Sequence, residues 1–117
     1  MPLQNYGSAI RNATFFGDAV ELFQHKNVVA SIDVTAVPGV DTVTLSIEHQ
    51  VAGDNWVPVV GAAARAAVGR DVLWAGPDVT TAANQAQNIV LTGKVRAKVT
   101  HSAGTNFTYS VRLETRP

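Results

Sequence analysis

The chain of 117 residues contains no cysteine. That excludes disulfides, thiolate zinc sites and cysteine nucleophiles. Charge is also scarce: charged residues make up 15% of the chain, against about 25% in an average globular domain. Nine basic residues balance nine acidic ones, so the formal net charge is zero. A nucleic-acid-binding domain carries a basic excess that neutralises phosphates, and with none here no nucleic-acid partner is expected. The opening segment MPLQNYGSAIRNATFFGD lacks the basic region and apolar run of a secretory signal. No stretch approaches the roughly 18 apolar residues of a membrane span, so no membrane partner is expected either.

Motifs for chemistry are missing as well. There is no G-x-G-x-x-G, P-loop, G-x-S-x-G or H-E-x-x-H. The three histidines, His25, His49 and His101, are far apart in sequence and have no acidic cluster beside them. They read as structural residues rather than metal ligands. The acids are scattered singly, whereas a glycosidase needs two carboxylates facing each other across a cleft. The expectation is a non-enzyme with no catalytic, cofactor-binding or metal-binding residues and no small-molecule substrate. The sequons Asn12-Ala13-Thr14 and Asn106-Phe107-Thr108 read as chance in a chain without a secretory signal.

What is present is apolar residues at a period of two. Hydrophobic residues form 46% of the chain, which with the low charge argues against disorder. In Lys26–Val37 the residues Val28, Ala30, Ile32, Val34 and Ala36 fall on one face. In Asp41–Val51 the inward set is Val43, Leu45, Ile47 and Val51, and Pro38-Gly39 between the two runs predicts an antiparallel hairpin. Trp56–Val60 is a further strand, placed by Pro58 at a sheet edge or bulge. Gly61–Gly69 is alanine-rich, yet its flanking glycines predict an extended segment with a turn. Arg70–Pro77 reads as a strand, and Asp78–Asn88 as a loop with one helical turn capped by Thr80 or Thr81. Ile89–Ser102 and Thr105–Thr115 close the pattern as two long strands, and Ala19–Gln24 is a short one. The expected fold is an all-β, antiparallel β-sandwich of about seven to eight strands. It divides into an N-terminal arm, residues 1–17, and a single domain, residues 18–117.

Function is therefore sought on the surface, because interface cores are depleted in charge and this chain is poor in it. Two groups of candidate contacts stand out. The arm carries Tyr6, Arg11, Phe15 and Phe16; the two phenylalanines either cap the core or lie on a neighbouring subunit. Lys94, Arg96 and Lys98 form a basic stripe on one strand face. The stripe is either a solvated face paired across strands with Asp33, Glu48 or Glu114, or a contact for an acidic partner. Trp56 and Trp74 sit near strand ends, as anchors of the sandwich or as platforms for a sugar ring.

The run SIDVTAVPGVDTVTLSIEHQVAGDNWVPV, then GRDVLWAGP, then NIVLTGKVRAKVTHSAGTNFTYSVRL resembles small β-sandwich structural proteins of tailed-bacteriophage virions. The matching features are an IDVTAV strand, a short turn, a TVTLSI strand and a late VRAKVTH strand, over about residues 27–113. The resemblance implies a capsid decoration protein on the outer capsid surface of the virion. Its partners would be the major capsid protein and copies of itself, in many such proteins a trimer. A tail or head–tail connector component, or a carbohydrate-binding or adhesion module, is the alternative.

Overall fold

The computed structural model describes residues 3–22 and 25–117. Ten strands are present among the described residues: β1 (Leu3–Arg11), β2 (Phe15–Phe16), β3 (Val20–Glu21), β4 (Asn27–Ala36), β5 (Val43–Val51), β6 (Asn55–Gly61), β7 (Gly69–Gly76), β8 (Ala86–Asn88), β9 (Lys94–His101) and β10 (Phe107–Arg116). One sheet has the order β1-β10-β4-β7-β8, and the other β2-β9-β5-β6, with β3 also on β9. All pairings are antiparallel except β7 with β8. The fold is an antiparallel β-sandwich, as the alternation predicts.

The pairing has a simple logic. β1 pairs with β10, β2 with β9, β4 with β7 and β5 with β6. The chain is thus one long antiparallel ribbon, its first strand against its last, rolled across two sheets. This is the jelly-roll arrangement.

The rolling corrects the expected hairpin. β4 and β5 lie in different sheets. Each has a complete apolar face: Val28, Ala30, Ile32 and Val34 on β4, and Val43, Leu45 and Ile47 on β5, all at most 1% exposed. Two such strands bury more apolar surface facing each other across the core than lying side by side. Residues 37–42 make the crossing, with Gly39 at φ 91° and Asp41 at φ 68°. Phe107, Tyr109, Val111 and Leu113 of β10 and Val95, Ala97 and Val99 of β9 complete the core.

Other boundaries moved for local reasons. β6 is an edge strand, where a proline is tolerated, with a register shift at Val59 next to Pro58. The alanine-rich segment is extended: Arg65 and Val43 exchange backbone hydrogen bonds, and the Arg65 guanidinium forms a two-toothed pair with Asp71 at 2.9 and 2.8 Å. No helical turn forms at 78–88. Thr81 instead accepts the Asn88 backbone N–H at 2.9 Å, and the Asn88 side chain donates to the carbonyls of Pro77 and Val79. β9 begins at Lys94 rather than Ile89, because Gly93 turns the chain at φ 62° against the Gln50 carbonyl. The short strand expected over Ala19–Gln24 is β3, with Phe23 and Gln24 outside the described residues.

The segment read as an N-terminal arm is part of the sandwich. Leu3–Arg11 is extended but docked on its own chain as the edge strand beside β10. Pro2 lies outside the described residues. The gain is physical: β10 carries a fully buried inner face, and without β1 its second edge would be unpaired.

Candidate surface site

The seven candidate contact residues fall into two clusters on different parts of the surface. The first closes one end of the sandwich. Tyr6 and Phe15 meet edge to face with centroids 5.0 Å apart. The Arg11 guanidinium lies over the rings of Phe15 and Tyr109, at 4.8 and 4.7 Å, and donates to the Tyr109 and Gly7 carbonyls. The Tyr6 hydroxyl accepts the Asp18 backbone N–H at 2.6 Å. Tyr6, Arg11 and Phe15 are thus engaged with their own fold, and Phe15 packs against the core.

Two further residues belong to this end. His101 Nε2 and the Tyr109 hydroxyl are 2.9 Å apart. Burial, then the Arg11 cation, hold His101 below the usual imidazole range. Burial pushes Tyr109 up to about 12, with Arg11 opposing. His101 Nδ1 is buried without a partner. A neutral ring with its proton on Nε2 leaves only an acceptor unsatisfied there, the less costly arrangement. His25 and His49 are structural in the same sense: His25 Nδ1 bonds Thr115 Oγ1 at 2.9 Å, and His49 Nδ1 accepts the Thr92 N–H at 3.2 Å. Among the described residues no group of three or more His, Cys, Asp or Glu side chains is arranged to hold a metal ion.

The second cluster covers the outer face of the second sheet. Lys94, Arg96 and Lys98 alternate along β9 and face outward. Arg96 stands opposite Glu48 in the ladder, and its Nε donates to Glu48 Oε1 at 2.8 Å. Lys98 Nζ is 3.9 Å from Glu48 Oε2, and Lys94 Nζ 3.8 Å from Glu21. Of the three acids considered for the stripe, only Glu48 pairs with it. Asp33 and Glu114 lie in the other sheet, with Arg70 and Arg116. Glu48 is on the outward phase of β5 but only 5% exposed, because the side chains it anchors cover it.

Above that carboxylate the Arg96 guanidinium is stacked on two aromatic rings, 4.6 Å from Phe16 and 4.2 Å from Trp56. Lys98 Nζ also approaches Phe16, at 5.4 Å. Phe16 is 49% exposed. Trp56 was missed as part of this site, whereas Glu48 was one of the three acids considered for the stripe. The signal for Glu48 was its alternation phase opposite the stripe. Trp56 had none, because its place beside Arg96 depends on the pairing of β6 with β5, which sets Trp56 opposite Gln50.

The outer face of the first sheet has a different character. A hollow of about 210 Å³ is lined by Val29, Ser31, Val72, Glu114 and three arginines, Arg70, Arg112 and Arg116. Trp74 is 37% exposed beside it, with the Arg116 guanidinium 5.4 Å from its ring. Each tryptophan therefore has an arginine over its ring.

No family model matches the chain, and no curated protein matches it. The chain is similar to the crystal structure of a Yersinia pseudotuberculosis-derived mitogen, at 12% sequence identity and a TM-score of 0.52. The match covers 99% of this chain and 86% of the mitogen chain. At that identity the likeness is one of fold, and it extends over the whole β-sandwich.

Proposed function

We propose that this chain is a non-enzymatic structural protein of a tailed-phage virion, a capsid decoration protein that binds the outer surface of the assembled shell. The strand motifs of β4, β5 and β9 support the phage assignment by resemblance. The observation that carries the binding surface is the Phe16–Arg96–Trp56 stack over Glu48. Arginine and large aromatics dominate the energetics of protein interfaces. Here the arginine is held rigid before any partner arrives, so little side-chain entropy is lost on binding. Its charge is already balanced by Glu48, which suits a contact that excludes water. Repetition over a shell lattice lets modest single contacts give firm occupancy.

The contact expected of the arm moves to this face, because Tyr6, Arg11 and Phe15 serve the fold while Phe16 is open. The test is co-sedimentation of purified chain with shells assembled from the cognate major capsid protein. Phe16→Ser is expected to lower occupancy at least tenfold while circular dichroism shows the chain still folded. Unchanged occupancy rejects this face, and no binding of the unaltered chain rejects the decoration role. The half-exposed Trp74 favours a second reading, glycan binding at the first sheet. In that case Trp74→Ala, and not Phe16→Ser, abolishes retention on a glycan surface.

A further inference from the structure

We infer that the free edge of β1 is where a second copy of this chain pairs, β1 against β1 in antiparallel fashion, joining the two first sheets across a two-fold axis. The inference goes beyond the proposed virion role and holds or fails without a capsid.

Any open sheet edge offers unpaired backbone groups to another strand, and folded proteins block such edges. Three of the four edges here are blocked. β6 carries Pro58, which has no N–H to offer a further strand. β8 is three residues long, and the edge opposite β6 is split between the two-residue strands β2 and β3. β1 is different. It is nine residues long, LQNYGSAIR, with no proline and a single charge. That charge, Arg11, is turned onto the rings of Phe15 and Tyr109 and away from the edge. Among the described residues β1 pairs with β10 alone.

The occupant follows from the same features. A neutral edge gives no charge complementarity to a charged partner, but it is compatible with itself. β1 has one extra residue between Tyr6 and Ala9 relative to β10. This bulge at Gly7-Ser8 switches the side-chain phase, so Leu3, opposite Glu114, and Ile10, opposite Thr108, come to lie on the same outer face. Leu3 is 45% exposed and Ile10 70%. Counted along β10, a two-fold axis at Tyr6 sets Leu3 of each copy beside Ile10 of the other. Two exposed apolar residues are then covered twice over. The Gly7-Ser8 bulge falls opposite Asn5 of the second copy, where a Cβ on Gly7 would meet no atom within 4 Å. A ring of three through strand pairing would need a second open edge on each copy, and the blocked edges supply none. The two-fold therefore stands in place of the three-fold that the resemblance implies.

One added strand pair buries less than a standard interface, so the dimer is weak in free solution, with a Kd on the order of 10 μM to 1 mM. The test is light scattering during size exclusion, over chain concentrations up to about 1 mM. The unaltered chain is expected to rise toward twice the 12.4 kDa chain mass. Leu3→Lys with Ile10→Lys sets like charges against each other and is expected to weaken the dimer at least tenfold. Leu3→Lys with Ile10→Glu sets the introduced lysine of one copy beside the introduced glutamate of the other and is expected to restore it. Both positions are exposed, and circular dichroism checks that each variant is folded. A chain that stays monomeric throughout the range overturns the inference, as does a dimer indifferent to the two lysines. A dimer that the lysine–glutamate variant fails to restore overturns the register.

Discussion

Glu48 organises the outer face of the second sheet. It holds Arg96 at 2.8 Å and Lys98 at 3.9 Å, and Arg96 in turn lies against Phe16 and Trp56. Glu48→Ala leaves both cations without their carboxylate in a partly desolvated setting. It is expected to lower unfolding stability by about 1–3 kcal/mol, as a fall in the denaturant midpoint at constant slope. In the other cluster, His101 is held below the usual imidazole range by burial and the Arg11 cation. The unfolded state therefore takes up the proton first as pH falls. The contribution of neutral His101 is complete above about pH 6.5 and is lost progressively as pH drops below that value toward its folded pKa. His101→Gln is expected to remove this part of the acid limb of the stability profile. The tyrosines give a reading on the alkaline side. Both tyrosines of the chain are raised, first by burial, Tyr109 to about 12. Ultraviolet titration of the folded protein is expected to show no phenol ionising at the ordinary value near 10. Raised folded-state values make the protein lose stability as pH climbs from about 10 toward 12.

At the level of elements, the strands that face the core were legible and the connections were not. Alternation in β4, β5, β9 and β10 marks most of the inward residues, because a sheet with one buried face imposes a period of two, but at the strand ends Ala36 is exposed and Val51 only half-buried. Which strand pairs with which is decided by the whole ribbon, so the Pro38-Gly39 turn read as a hairpin is a crossing between sheets. The start of β9 depended on Gly93, whose close approach to Gln50 is a contact distant in sequence. The candidate site divides in the same way: the stripe on β9 and its Glu48 partner follow from alternation, whereas Trp56 reaches Arg96 from a third strand, by the pairing of β6 with β5. Arg11 and Tyr6, taken for a partner, are used within the fold because β1 is a strand of the sheet. Gly76 tests these long-range approaches directly. It has φ 150°, and a side chain there would overlap the Asn27 side chain, which bonds Asp78 and Pro117 at 3.0 Å. Gly76→Ala is expected to cost at least about 2 kcal/mol in chemical denaturation.

For the whole molecule, the rolled ribbon means that the first strand waits for the last. β1 cannot pair until β10 is in place, and β2 until β9. Such non-local pairing slows folding, so refolding is expected on the millisecond-to-second scale. The closed roll also explains where function can reside. The interior is filled by interdigitating apolar side chains, and the accessible chemistry lies on the two outer faces and at the sheet edges. In the proposed function the face built on Glu48 would meet the shell, and in the proposed dimer the β1 edge would meet a second copy. The measurement that tests this account most directly is an image reconstruction of the assembled particle at a resolution that traces strands. The account predicts this β-sandwich on the outer capsid surface, with Phe16, Arg96 and Trp56 against the major capsid protein. Its appearance only in a tail or connector ring, or on the shell with that face turned to solvent, would contradict it.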